Sequence, residues 1–164
     1  MTRIVLSVGI GLLLTVGTAW AGPLEDATTA NTRGDHATAL KTFQSLAAQG
    51  NAEAQNNLGE LHAKGQGVPQ DYSQARQWYE KAAVHGHALA QNNLAELYFA
   101  GLGVPQDYVR AYMWVSLAAV HMKGDEQKQA EENRNDVAGR MTPEQLAEAK
   151  RLTQQCLALK FKGC

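Results

Sequence analysis

A long internal repeat dominates this sequence. Residues 52–86 align with residues 88–122 at an offset of 36, and the patterns AxAQNNLxEL, GxGVPQDY and AAVH recur in both copies. Units of this length that repeat in tandem are typical of solenoids, in which each unit buries its apolar face only by stacking on its neighbours. The repeat therefore predicts a stacked array, and it outweighs any isolated motif in the chain.

Each repeat is predicted to be an antiparallel pair of helices. In its first half, apolar residues recur at i, i+4 and i+7, as Ala54, Leu58 and Leu61 do, which is one face of a helix. In the linker GxGVPQDY, a glycine ends the first helix, the proline prevents its continuation, and Asp71 or Asp107 serves as the next N-cap. The predicted fold class is all-α, an α/α solenoid of stacked antiparallel helix pairs.

The flanks of the repeats extend the array to four pairs. The segment GDHATALKTFQSLAAQG keeps the spacing of the second half of a repeat, and MTPEQLAEAKRLTQQC begins with an N-cap threonine and a proline at the first helical position. We expect a single domain over 22–164, divided into a degenerate pair (22–50), two repeats (51–86 and 87–122) and a capping pair (123–164). The predicted helices are 24–33, 35–49, 52–64, 71–85, 88–100, 107–122, 125–139 and 143–159.

The N-terminal segment, residues 1–21, has the pattern of a cleavable secretory signal peptide. Arg3 precedes an apolar run over 4–16, and the small residues Ala19 and Ala21 precede the predicted cleavage site. The run is shorter than the roughly 20 residues that a bilayer span needs, so a retained anchor is the weaker alternative. We expect an exported protein, periplasmic or secreted, without an integral membrane span after cleavage at Gly22.

The chain has two cysteines, Cys156 and Cys164. In an oxidising compartment two thiols tend to pair, and the residues between them can leave the last helix and turn at Gly163. The spacing excludes a C-x-x-C redox motif. We therefore predict a disulfide that pins the C-terminus.

Composition and motifs argue against several function classes. Lys and Arg total 15 against 16 Asp and Glu, with no basic block, so a nucleic-acid partner is not expected. No serine after the signal peptide lies in a G-x-S-x-G or S-x-x-K motif, and His85, His87 and His121 lack an evident further metal ligand. We expect no catalytic residues, no metal and no cofactor.

The segments AEAQNNLG, GxGVPQDY, AxxW and AAVHG resemble the SEL-one-like repeat family (SLR, or Sel1-like repeat), relatives of the tetratricopeptide repeat. Two full copies match, and MTPEQLAEAKRL resembles the end segment of many bacterial members. The resemblance implies a superhelix like that of tetratricopeptide proteins, acting as a non-enzymatic scaffold for protein–protein interaction. Some cysteine-rich members of the family bind penicillin or act as weak β-lactamases, and Cys156-x₇-Cys164 resembles their bridge spacing. That activity, and binding of an envelope glycan, remain alternatives.

The predicted partner-binding site is a concave groove lined by the first helix of each pair. Carboxamides there can donate to and accept from an extended peptide backbone. For Asn57 and Asn93, which adjoin packed leucines, a hydrogen bond between repeats is an equally open interpretation. The groove residues are Glu53, Asn56, Asn57, Glu60 and Lys64 in one repeat, and Asn92, Asn93, Glu96 and Phe99 in the next.

Overall fold

A computed structural model describes residues 22–164, and the predicted signal peptide (1–21) lies outside the described residues. Over the described range the chain forms helices without strands, which confirms the all-α class. Each predicted helix agrees with an observed one to within two residues at either end. The helices are α1 (Pro23–Thr32), α2 (His36–Ala48), α3 (Ala52–Lys64), α4 (Tyr72–Ala83), α5 (Ala88–Ala100), α6 (Tyr108–His121), α7 (Gly124–Ala138) and α8 (Pro143–Ala158).

Capping residues set the limits of the repeat helices. The Asp71 carboxylate accepts from the backbone N–H of Gln74 at 3.0 Å, and Asp107 accepts from that of Arg110 at 3.0 Å. At the other end of the linker, Gly101 closes α5 in the left-handed conformation with φ of 70°. These side chains satisfy backbone groups that a helix end otherwise leaves without partners, so the pairs begin and end where the sequence predicts.

A glutamine in the first helix of each repeat bonds to the pair before it. The Gln55 side chain donates to the carbonyl of Ala47 at 3.2 Å, and Gln91 donates to the carbonyl of Ala83 at 3.1 Å. Both glutamines are buried. The same inter-pair bond therefore recurs at the repeat period.

The second glycine of each linker also fixes the stacking. A Cβ atom at Gly103 would lie 2.5 Å from the backbone carbon of Tyr72 at the start of α4, and one at Gly67 would lie 3.0 Å from the Cβ of His36 in α2. Gly103 has a φ of 66°, so both space and backbone conformation favour glycine. The linker thus packs on the preceding pair besides making a turn.

The apolar core has two parts. A smaller cluster around Phe43, Leu58 and Leu61 joins the N-terminal pair to α3, and a larger one runs from α4 to α8 around Leu94 and Leu117. Within residues 22–164, no helix has the length and apolar character required to cross a membrane.

The C-terminus is fastened by a disulfide. Cys156 and Cys164 are joined, with their Cα atoms 5.5 Å apart, which confirms the predicted pairing. After α8 the chain turns through Lys160 and Phe161, both in the left-handed region with φ of 49° and 66°. The turn was predicted at Gly163, and in the structure it starts earlier, at Lys160.

Candidate partner-binding groove

Two cavities lie side by side along the first helices of the pairs. The α3–α5 cavity is lined by α3, α4 and α5, and the α5–α7 cavity is lined by α5, α6 and α7. Each encloses about 340 Å³, and both are lined by Glu96 and Leu102. The two cavities adjoin at these shared residues, and together they are called the groove below.

Most of the residues predicted for a partner-binding surface line this groove. Of the others, Glu53 is exposed on the first turn of α3 and Asn57 is half-buried, and neither is among the described residues that line these two cavities. The lining residues among those predicted are Glu60, Lys64, Asn92, Asn93, Glu96 and Phe99.

The prediction for Asn56 needs correction. This residue was predicted to face a partner, but it is only 2% exposed. Its side-chain oxygen accepts from the Asn93 amide of the next repeat at 3.0 Å, and its own amide donates to Glu60 at 3.1 Å. Asn56 therefore joins two repeats and orients a groove carboxylate. For Asn93, the alternative interpretation, a hydrogen bond between repeats, is present in the structure, and Asn56 is its acceptor.

The two repeats present equivalent carboxylates in different electrostatic surroundings. Glu60 accepts from Asn56 on one oxygen and is ion-paired with the Lys64 ammonium at 2.7 Å on the other. Glu96 accepts from the Asn92 amide at 3.0 Å, and the residue 36 positions after Lys64 is Ala100. The second carboxylate thus lacks the intrahelical cation of the first.

The pKa of Glu96 reflects this difference. Burial raises the pKa of the Glu96 carboxyl above its ordinary value, while the hydrogen bond from Asn92 acts in the opposite direction. Glu96 is nevertheless exposed, so a partner group can reach it.

The floors of the cavities also differ. In the first repeat the ring of Tyr79 packs against Gly59, and a Cβ atom at Gly59 would lie 2.4 Å from a ring carbon. The residues 36 positions later are Ala95 and Val115, which line the α5–α7 cavity. Burial, followed by the nearby carboxylates Glu60 and Glu96, raises the pKa of Tyr79 far above its ordinary value, so its phenol stays neutral. The change from Gly59 and Tyr79 to Ala95 and Val115 is visible in the sequence when the two repeats are compared position by position. The groove was predicted without that comparison.

Outside the groove, two of the histidines considered as metal ligands have structural roles. Within residues 22–164, no group of three His, Cys, Asp or Glu side chains is arranged to hold a metal ion. His87 caps α5, its Nδ1 accepting from the Ala90 N–H at 3.2 Å, and His121 packs edge-on against Phe161. Among the described residues, no serine, cysteine or histidine lines either groove cavity.

Stacked antiparallel helix pairs with a groove along their first helices define an α/α-solenoid repeat protein. The Sel1 repeat family model matches residues 52–87 and 88–119. The chain is therefore a member of the Sel1-like repeat family. Sel1 repeats generally act as non-catalytic scaffolds that bind proteins.

Two solved structures are similar to this chain. A protective antigen present in uropathogenic Escherichia coli strains, which displays an SLR fold, is 36% identical with a TM-score of 0.75, over 81% of this chain and 28% of that one. A Sel1 repeat protein from Oxalobacter formigenes is 32% identical with a TM-score of 0.62, over 68% of this chain and 44% of that one. This chain thus spans less than half the length of either. The sequence matches no curated protein.

Proposed function

We propose that this protein is an exported, non-enzymatic scaffold that binds a protein partner along the groove. The observation that carries the proposal is the lining of the two adjoining cavities by carboxylate, carboxamide and aromatic side chains from successive first helices. Such a surface makes several modest contacts with an extended segment, and a few central side chains dominate the affinity. Glu96, shared by both cavities, is the central one.

Crosslinked affinity capture tests this proposal. The groove variant combines Glu60→Gln, Asn92→Ala and Glu96→Gln and keeps Asn56, because Asn56 joins the repeats. The matched control carries Gln74→Ala and Gln77→Ala on the exposed surface of α4. A captured protein is identified, purified and titrated against all three proteins.

We expect the wild type and the α4 control to bind the purified partner equally, and the groove variant to bind at least about tenfold more weakly. Circular dichroism checks that the groove variant keeps its helices. A partner that binds a folded groove variant as well as the wild type would show that the groove is not the binding surface.

Export to the periplasm is part of the same proposal. It is supported by the signal-like pattern of residues 1–21 and by the disulfide between Cys156 and Cys164, since disulfides persist in oxidising compartments. Cell fractionation with N-terminal sequencing tests it, and the expected product is a periplasmic chain that begins at Gly22. An uncleaved cytosolic product would contradict export.

The two alternatives draw little support from the groove. A β-lactam hydrolase needs an activated nucleophile, and the residues of 22–164 that line the groove include no serine. A glycan site needs exposed aromatic rings, and Phe99 packs against Tyr108 with ring centroids 5.6 Å apart. Turnover of a chromogenic β-lactam by the purified protein would reinstate the first alternative, and retention on peptidoglycan would reinstate the second.

A further inference from the structure

The α5–α7 cavity differs from its neighbour at positions that the repeat makes equivalent. Val115 occupies the position of the buried Tyr79, and Asn133 occupies that of Leu97, which is 4% exposed and part of the core. Val115 and Asn133 both line the α5–α7 cavity. The cavity is therefore formed where, relative to the preceding pair, valine replaces a large tyrosine and asparagine replaces an apolar leucine.

The packing of α7 differs as well. Gln127 lies 36 residues after Gln91, which bonds to the carbonyl of Ala83 on the preceding pair. Gln127 instead donates to Glu131 of its own helix at 3.3 Å. Helix α7 thus lacks the inter-pair bond that holds α5 against the helix before it.

The polar groups of the α5–α7 cavity are acidic and neutral. Glu96 and Asp136 contribute carboxylates, Asn92 and Asn133 contribute amides, and the described residues that line the cavity include no basic side chain. Ala100 lies on the wall at the position that Lys64 occupies in the first repeat. In that repeat the lysine ammonium lies 2.7 Å from the equivalent carboxylate, Glu60.

We infer that the α5–α7 cavity binds one lysine or arginine side chain of a partner polypeptide. This inference rests on the proposed scaffold function and specifies the chemistry that the groove selects. The aliphatic stem of the side chain packs on Phe99, Val115 and Val137, and its cationic end meets Glu96 and Asp136. The partner thereby supplies to Glu96 the cation that Lys64 supplies to Glu60.

Charge disfavours other occupants of the cavity. An acidic side chain would be repelled by the two carboxylates, and a purely apolar one would cover the exposed Glu96 carboxylate without supplying a cation to it. Burial raises the pKa of the Glu96 carboxyl, and a bound cation acts in the opposite direction.

Short blocked peptides that differ only at their central residue test the inference. The probes carry lysine, arginine, norleucine or glutamate between glycines, and the protein is produced from the full-length sequence. Amide chemical shifts are followed by NMR during titration. We expect saturable shifts around Glu96 and Val137 with the lysine and arginine peptides alone, weakening as salt is added.

Two substitutions provide the sharpest contrast. Glu96→Gln should weaken binding of the basic peptides about tenfold. Ala100→Lys should abolish that binding, because the new ammonium can pair with Glu96 as Lys64 does with Glu60. Ala100 is exposed at the end of α5, and lysine is a good helix former, so this variant should fold. Gln77→Ala, on the exposed surface of α4 and away from the groove lining, is the matched control and should leave binding at the α5–α7 cavity unchanged.

Each outcome decides the inference. Equal binding of the norleucine and lysine peptides, or unchanged binding by the Ala100→Lys variant, would overturn it. If a purified partner needs the groove but the basic peptides do not bind, the inference fails and the scaffold function stands. If the peptides bind through Glu96 but no partner depends on the groove, the cavity chemistry is supported and the scaffold function fails.

Discussion

At the scale of single residues, the two repeats use different side chains to cap equivalent helices, α3 and α5. Asn51 caps α3 by accepting from the Ala54 N–H at 2.8 Å, and His87 caps α5 by accepting from the Ala90 N–H at 3.2 Å. An imidazole nitrogen accepts only when it is unprotonated. Burial lowers the pKa of His87, although Glu53 and Glu60 act in the opposite direction. The cap therefore makes stability depend on pH.

The sign of this dependence follows from the lowered pKa. Because the unfolded chain takes up the proton more readily, the contribution of His87 is complete above the ordinary histidine value of 6.5 and is lost as the pH falls below it. His87→Asn copies Asn51, so it should keep the cap without titrating. We expect the variant to match the wild type at about pH 8 and to exceed it at about pH 5 by up to about 1 kcal/mol.

Urea unfolding followed by circular dichroism measures both free energies. His85→Asn is the control, because His85 is exposed two residues earlier and caps no helix. It should retain the pH dependence of the wild type. If His87→Asn instead lost stability in parallel with the wild type on acidification, the cap would not be the pH-sensitive element.

At the scale of helices, the packing of α3 on α4 depends on one glycine. Replacing a helical glycine by alanine ordinarily stabilises a helix by about 1 kcal/mol. At Gly59 the added methyl would meet the Tyr79 ring at 2.4 Å. We expect Gly59→Ala to lower the free energy of unfolding by about 1–3 kcal/mol, the usual cost of overpacking.

The second repeat carries a pair of residues that avoids this close contact. Ala95 and Val115 occupy the positions of Gly59 and Tyr79, so Gly59→Ala should cost far less, or become stabilising, in a Tyr79→Val background. A double-mutant cycle from four unfolding curves measures this coupling. Additive effects of the two substitutions would show that the close contact between α3 and α4 does not control packing there.

The repeat helices could be predicted from the sequence because their boundaries are marked by local capping chemistry. The left-handed Gly101 and the N-cap Asp107 act over one turn of backbone, and the repeat states the pattern twice. The burial of Asn56 could not be read from a helical wheel, because it depends on how closely the next repeat approaches and on its bond to Asn93. The α5–α7 cavity was missed because α7 was interpreted only as a polar end helix, without comparing Asn133 with Leu97.

At the scale of the whole molecule, the C-terminal tail connects three pairs. The disulfide holds the tail to α8, while Phe161 packs edge-on against His121 at the end of α6, with ring centroids 5.5 Å apart. The same ring also lies against Gly86, in the turn between α4 and α5. The predicted role of the bridge was to pin a fraying end, and the tail it holds also reaches back to both repeats.

Removing the bridge should therefore loosen the C-terminal half of the array more than the N-terminal half. Because stability in a solenoid comes mainly from contacts between neighbouring units, the combined Cys156→Ala and Cys164→Ala variant should lose about 2 kcal/mol. Amide hydrogen exchange should then speed up in α8 and the end of α6, with little change in α2. Phe161→Ala, which keeps the bridge, should affect the end of α6 and the turn at Gly86 but spare most of α8. Equal acceleration in α2 and α8 would instead show that all four pairs unfold as one cooperative unit, with the tail stabilising the entire chain.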